Sequence, residues 1–125
     1  PDVPQTASFD TAFHATSPPL MRRFAIPRAL YDQGIKRYGF HGLSYRYIAG
    51  QLGDLAPDAK VVAAHLGSGA SLCAIRGGKS IDSSMGFSTL DGIPMATRSG
   101  ALDPGVILHL MGEMGQSLKQ VETML

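Results

Sequence analysis

The chain has 125 residues, 44% of them hydrophobic and 17% charged, and 11 Lys and Arg balance 10 Asp and Glu to a net charge of +1. That length suits one domain, and the near-neutral balance excludes an electrostatic footprint for nucleic acid or for an anionic membrane surface as partner. The single cysteine, Cys73, excludes an internal disulfide, and with no signal peptide, long apolar run or polybasic tail in view the expected location is the cytoplasm.

The chain opens on Pro1-Asp2-Val3-Pro4 without Met and stops at Val121–Leu125 inside an uncapped helical pattern, which reads as a fragment of a larger protein. Gln5 to Phe9 reads as a short strand that delivers Asp10. Ser17-Pro18-Pro19 then forbids a regular helix. A carboxylate at a strand end suits a functional site, and equally a helix N-cap. Pro27 to Gln33 reads as a short helix, with Pro27 at its first position and Gly34 at C′. Ile35 to Phe40 follows as a short strand or extended run and leads into His41-Gly42. Ser44 is placed to cap a helix reaching about Leu52, with Tyr45, Ile48 and Leu52 on one face and Gly53 closing it. Asp54 to Asp58, which contains Pro57, is then a loop. His41, between strand and helix, is either a structural histidine or one whose ring faces a cleft.

The central unit runs from Val61 to Asp82, VVAAHLGSGASLCAIRGGKSID. Three strands are predicted, Lys60–Leu66, Ser71–Arg76 and Lys79–Ser84, joined in sequence as an antiparallel meander with at least one face packed on helices. The Gly77-Gly78 pair between the second and third fits a type I′ turn, which needs positive φ at both central residues. The first turn differs. Gly67 and Gly69 flank Ser68, so backbone N–H groups can turn outward and approach a ligand without Cβ interference. The turn is a plain hairpin connection or a cradle for phosphate oxygens. Cys73, inside an apolar strand, reads as a small core residue rather than a reactive thiol.

Met85 to Arg98 has neither helical nor strand period and contains Gly86, Gly92 and Pro94; a loop of this length inside a compact domain is commonly functional. Arg98 at its end is a surface charge or an anion clamp. Asp103 and Pro104 open a clear helix as N-cap and first residue. Val106, Ile107, Leu110, Met111 and Met114 form its stripe, expected to pack in the core, and Gly115 ends it. Ser117 and Gln120 form a capping box for a last helix carrying Leu118, Val121 and Leu125.

These pieces share one chemistry. The sequence has no Cys/His metal cluster, no G-x-S-x-G elbow and no Walker A motif. Phosphoryl transfer asks for positioning and for donors around the equatorial oxygens of the moving group, which one His and one Arg can supply. The segments Phe9-Asp10-Thr11-Ala12-Phe13-His14, Arg37-Tyr38-Gly39-Phe40-His41-Gly42, His65-Leu66-Gly67-Ser68-Gly69-Ala70-Ser71, Ser84-Met85-Gly86-Phe87 and Thr97-Arg98-Ser99-Gly100 occur in that order. Together they strongly resemble the acetate kinases of the acetokinase family, within the actin-like ATPase superfamily. The resemblance covers nearly the whole chain and corresponds to about the middle third of a family member.

The resemblance implies an incomplete α/β chain of actin-like ATPase (ribonuclease H-like) fold, an antiparallel meander with flanking helices. Residues 1–20 would end the first actin-like domain, and residues 21–125 would begin the second with its phosphate-binding hairpin. It implies reversible transfer of the ATP γ-phosphoryl group to acetate, giving acetyl phosphate and ADP, with Mg²⁺, in a homodimer. His41 and Arg98 would stabilise the moving phosphoryl group, Asp10 would be the active-site carboxylate, and His65, Leu66, Gly67, Ser68 and Gly69 would form the phosphate loop facing ATP. Acetate is already ionised at neutral pH, so orienting Mg²⁺ or a partner side chain suits Asp10 better than acting as a general base.

The sequence departs from the family pattern in places. Ser68 stands for the usual Asn; Leu43, Ser44 and Tyr45 stand for Thr, Ser and His; Ala101 stands for Asp. Family segments bearing an N-terminal Asn and phosphate-binding Ser cluster, the acetate-binding Arg, the adenosine pocket and a Glu ligand for Mg²⁺ have no counterpart, so these 125 residues alone are expected to lack kinase activity. The alternatives are a propionate or butyrate kinase, whose acyl pocket would be wider, or a non-catalytic dimerisation module using the Pro104–Met114 helix.

Overall fold

The architecture of the protein, obtained as a computed structural model, is described for residues 2–55 and 58–125. Its centre is the predicted meander: β1 (Lys60–Leu66), β2 (Ala70–Arg76) and β3 (Lys79–Ser83), antiparallel and in that spatial order. Residues alternate between faces along each strand. The pairs Val61–Ile75, Ala63–Cys73 and His65–Ser71 therefore share one face. On that face Ala63, Cys73 and Ile75 meet Tyr45 and Ala49, with Phe13 completing the cluster and Ile48 and Val61 packed on it. Cys73 is fully buried, as a core residue should be. On the other face Val62 and Leu66 stay 72% and 75% exposed, so the sheet is covered on one side only. Gly77 and Gly78 have φ of +54° and +71°, as a type I′ turn demands. Ile81 is a bulge residue, left between the Ala74–Asp82 and Ile75–Ser80 pairs.

The covering layer comes from a short 3-10 helix (Ala12–Thr16) and α2 (Gly42–Leu55), while α1 (Arg28–Asp32) buries none of its residues. The strand expected over Gln5–Phe9 does not form. Every residue of it is exposed, so no burial draws it onto the sheet. Nor is Asp10 the N-cap residue of the helix that follows it: Thr11 holds that position in the 3-10 helix, and the Asp10 carboxylate is engaged at His41 instead. In α1, Pro27 is the N-cap rather than the first helical residue, and Gly34 closes the turn at φ +95°. Residues 35–40 run without a ladder, Arg37 and Tyr38 donating their N–H groups to Arg22 and Gly86 carbonyls at 2.9 Å each.

α2 starts at Gly42, two residues ahead of the expected Ser44 cap, because the Asp10 carbonyl accepts the Gly42 N–H at 2.9 Å and does the capping. It runs through Gly53 to Leu55, since a glycine weakens a helix by only about 1 kcal/mol against Ala and need not end it. The loop predicted around Pro57 lies partly outside the described residues.

α3 (Pro104–Gly112) opens as expected, Asp103 Oδ1 accepting the Gly105 N–H at 2.8 Å. It stops before Gly115, which sits at φ +65° in the following turn. Its stripe does not enter a core: Met111 and Met114 are 40% and 59% exposed, because the element packed against α3 is α4 (Leu118–Met124), itself a short surface helix. α4 carries the predicted capping box of Ser117 and Gln120 and buries Val121. Among the described residues no helix is long and apolar enough to cross a membrane.

Candidate active site

The site is built on the connection between the 3-10 helix and α2. His41 has φ +55°, and among the described residues it alone of the non-glycines stands at positive φ. That left-handed conformation costs an L-residue about 1 kcal/mol or more, so something must hold it. Asp10 does, with its side chain and its backbone. Its Oδ2 takes the His41 N–H at 2.7 Å, and its carbonyl takes the Gly42 N–H at 2.9 Å.

His14 braces the same turn from below. Its ring packs so tightly on Gly39 that a Cβ there would lie 2.5 Å from Cγ. A carbonyl only accepts, so His14 Nε2 donates to the Phe40 oxygen at 2.8 Å, and Nδ1 then accepts from Ser80 Oγ at 2.8 Å. Burial pushes the His14 pKa below its ordinary value, against smaller upward pulls from the Phe40 carbonyl and from Asp10. A histidine held neutral in the fold binds fewer protons than it does unfolded, so its stabilisation is complete above roughly pH 6.5 and is lost as pH falls through the lower folded value. The urea midpoint is expected to drop from pH 7 to pH 5, and to drop less in His14→Asn.

The turn aims the His41 ring at the β1–β2 connection. A Cβ on Gly69 would stand 3.2 Å from His41 Nε2 and 3.4 Å from Arg98 Nη2, so the two side chains meet over one glycine. Arg98 arrives from the long loop, anchored by Nη1 donating to the Thr89 carbonyl at 3.1 Å and by a bridge between Met95 and Arg98. His65 stacks on His41 with ring centroids 4.1 Å apart, and its Nδ1 lies 3.0 Å from Ser44 Oγ. This contact, rather than capping, is what Ser44 does. On the far side His41 Nδ1 lies 2.8 Å from Ser71 Oγ. The His41 pKa is lowered, first by burial, then by the neighbouring His65; Asp10 opposes this, and Arg98 and His14 add to it.

Of the residues singled out in the sequence, Asp10, His41, His65, Gly69 and Arg98 therefore come together. Leu66 alternates onto the open face of the sheet. Ser68 is exposed at the turn. Neither Gly67 nor Gly69 needs a positive φ, and the Gly67 N–H does not turn outward as expected but donates to the Gly69 carbonyl at 3.1 Å. The use of glycine at 69 is close approach. Gly69→Ala is expected to put a methyl against both donors and to lower turnover about a hundredfold, the scale of losing one oxyanion donor. Folding and kcat measured together check this.

The sequence reading passed over His14, Tyr45, Ser71 and Ser44 as parts of the site. The signal for Ser71 was present: it is two residues from Cys73 and so points into the covered face. His14, next to apolar Phe13 in the Asp10 segment, was equally readable.

A cation and an imidazole nitrogen converging over a glycine suit an oxyanion, such as a phosphoryl oxygen. Among the described residues no group of three or more His, Cys, Asp or Glu is arranged to hold a metal ion. A cleft of about 580 Å³ lies on the open sheet face beside Leu72, Arg37 and Asp91 and includes none of these site residues.

The profile of the acetokinase family matches residues 1–125. The chain belongs to the acetokinase family. An acetate kinase of Methylocella silvestris is 56% identical over 128 residues, covering 100% of this chain and 32% of that protein. The crystal structure of a propionate kinase from Francisella tularensis superposes with a TM-score of 0.87 at 42% identity, over 94% of this chain and 31% of that one. That of Porphyromonas gingivalis acetate kinase gives 0.85 at 38% identity, over 93% and 30%. This acetokinase chain thus has the actin-like ATPase fold of those kinases as a partial domain, and spans about a third of the length of the relatives it matches.

Proposed function

We propose that this acetokinase chain is the central part of an acetate kinase, which moves the γ-phosphoryl group of ATP to acetate and back, forming acetyl phosphate and ADP with Mg²⁺. The observation that carries this reading is the convergence of His41 Nε2 and Arg98 Nη2 over Gly69. Phosphoryl transfer needs donors on the spread charge of the moving group, in a place where no side chain stands in the way. Arg98 supplies a fixed charge and His41 an N–H. His65 supports the His41 ring, and the turn from Gly67 to Gly69 is the wall facing the nucleotide phosphates. Asp10 orients His41 rather than acting as a base. Residues 1–20 close the first actin-like domain and 21–125 open the second; a cytoplasmic homodimer is the expected working form.

Acyl specificity is the open choice within this reading. The likeness to a propionate kinase structure, at a TM-score of 0.87, keeps propionate beside acetate as acceptor. The test is hydroxamate trapping of acyl phosphate with Mg-ATP and acetate, propionate or butyrate. It uses the segment grafted in place of its counterpart in a full-length acetate kinase. Acetate is expected to be the fastest acceptor. A folded graft that makes no acyl phosphate from any of them overturns the proposal, and a faster rate with propionate moves it to the second acid.

A further inference from the structure

His41 needs a partner on its inner nitrogen, and the structure supplies an unusual one. Ser71 is fully buried, with its Oγ 2.8 Å from His41 Nδ1 and 2.6 Å from the hydroxyl of Tyr45. Tyr45 is itself fully buried at the start of α2, and its Oη also lies 2.8 Å from the Ser71 carbonyl. His41 Nδ1, the two hydroxyl oxygens and the Ser71 carbonyl oxygen thus form a continuous chain of four polar atoms.

Counting protons gives the chain its meaning. A serine and a tyrosine hydroxyl each donate once and can each accept, and the carbonyl only accepts. When His41 is neutral, the chain can run outward to inward: Tyr45 Oη donates to Ser71 Oγ, and Ser71 Oγ donates to Nδ1. The single imidazole proton is then on Nε2, facing Gly69. When His41 is charged, both hydroxyls rotate. Nδ1–H donates to Ser71 Oγ, Ser71 Oγ donates to Tyr45 Oη, and Tyr45 Oη donates to the Ser71 carbonyl. Nε2–H still faces Gly69. No heavy atom moves in either case.

We propose that Tyr45 and Ser71 are positioning residues, a rotatable hydroxyl pair that keeps the Nε2–H of His41 aimed at the Gly69–Arg98 corner in both charge states of the ring. The ionisable groups facing that ring are Asp10, which favours the cation, and His14, His65 and Arg98, which oppose it. With burial, the largest influence, their balance holds the His41 pKa below its ordinary value. A donor indifferent to the charge of the ring lets the site serve an anion on either side of its titration.

The catalytic consequence rests on the phosphoryl-transfer reading; the hydrogen-bond chain itself does not. Both are tested on the segment grafted into a full-length relative. Long-range ¹H–¹⁵N NMR of the imidazoles is expected to show neutral His41 protonated at Nε2. Tyr45→Phe removes only the terminal hydroxyl and keeps the ring in the core. It takes from Ser71 the acceptor used by the charged state, so the His41 titration midpoint is expected to fall by about one pH unit, the worth of one hydrogen bond. Ser71→Ala is expected to lower kcat about five- to tenfold with a smaller change in KM for ATP, and Ser71→Thr to recover part of the loss. Neutral His41 protonated at Nδ1, or a His41 midpoint unmoved by Tyr45→Phe in a folded protein, overturns the proposal. An inactive parent that still shows Nε2 protonation and the Tyr45→Phe shift supports the chain and defeats the phosphoryl-transfer reading alone.

Discussion

Arg98→Ala, in the segment carried by a full-length enzyme, is expected to lower kcat by about two to four orders of magnitude, the range for loss of a transition-state charge donor. The geometry explains why so much rests on one side chain. Nη1 is committed to the Thr89 carbonyl at 3.1 Å, which fixes the guanidinium plane, and Nη2 is left over Gly69. The group is therefore positioned before any ligand arrives, and its charge costs no reorganisation when negative charge spreads over the phosphoryl oxygens. KM for ATP should change far less than kcat, because the contact strengthens as the reaction proceeds. Arg98→Lys keeps the charge but cannot hold the Thr89 carbonyl and the corner with one planar fork, so it is expected to recover little of the loss. Steady-state kinetics of the two variants check this, and unchanged turnover in Arg98→Ala would remove Arg98 from the mechanism.

Much of the architecture was legible because its signals are local. The apolar runs through Lys60–Leu66 and Ser71–Arg76, the Gly77-Gly78 turn, the Asp103 cap and the Ser117 capping box each specify their element within a few residues, and each is present. The errors fell where a distant partner decides. Gln5–Phe9 reads as a short strand but buries nothing. Ser44 looks like a cap, yet the cap comes from Asp10, which lies far earlier in the chain, and the Ser44 hydroxyl goes to His65 instead. Met111 and Met114 follow a core stripe on a helix whose neighbour is another surface helix.

The site divides the same way. The types of Asp10, His41, His65 and Arg98 drew attention in the sequence, but that they converge is a property of the fold. In the supporting layer His14 and Ser71 left signals in their segments, whereas Tyr45 reads as an ordinary core residue of the α2 face. Only distances reveal that His14 ends on the turn that carries His41, Ser71 on its ring, and Tyr45 on Ser71.

That turn sets the second large effect. His41→Asn is expected to lower kcat by about two to three orders of magnitude while leaving the protein folded, the range for losing a group that acts in the transition state. Asparagine is the informative replacement because it tolerates the left-handed conformation at φ +55°, which the backbone keeps through the two Asp10 contacts. Its amide can still donate, but from a shorter side chain that cannot span from the turn to Gly69, and it has no inner nitrogen for Ser71. His41→Ala removes the same donor and adds backbone strain of about 1 kcal/mol, so it should show a similar kcat with a lower denaturation midpoint. The comparison separates chemistry from conformation. If His41 acts through its ring, both variants lose turnover alike and differ only in stability. If it acts only by shaping the turn, His41→Asn keeps near-native turnover and the ring has no part in the reaction.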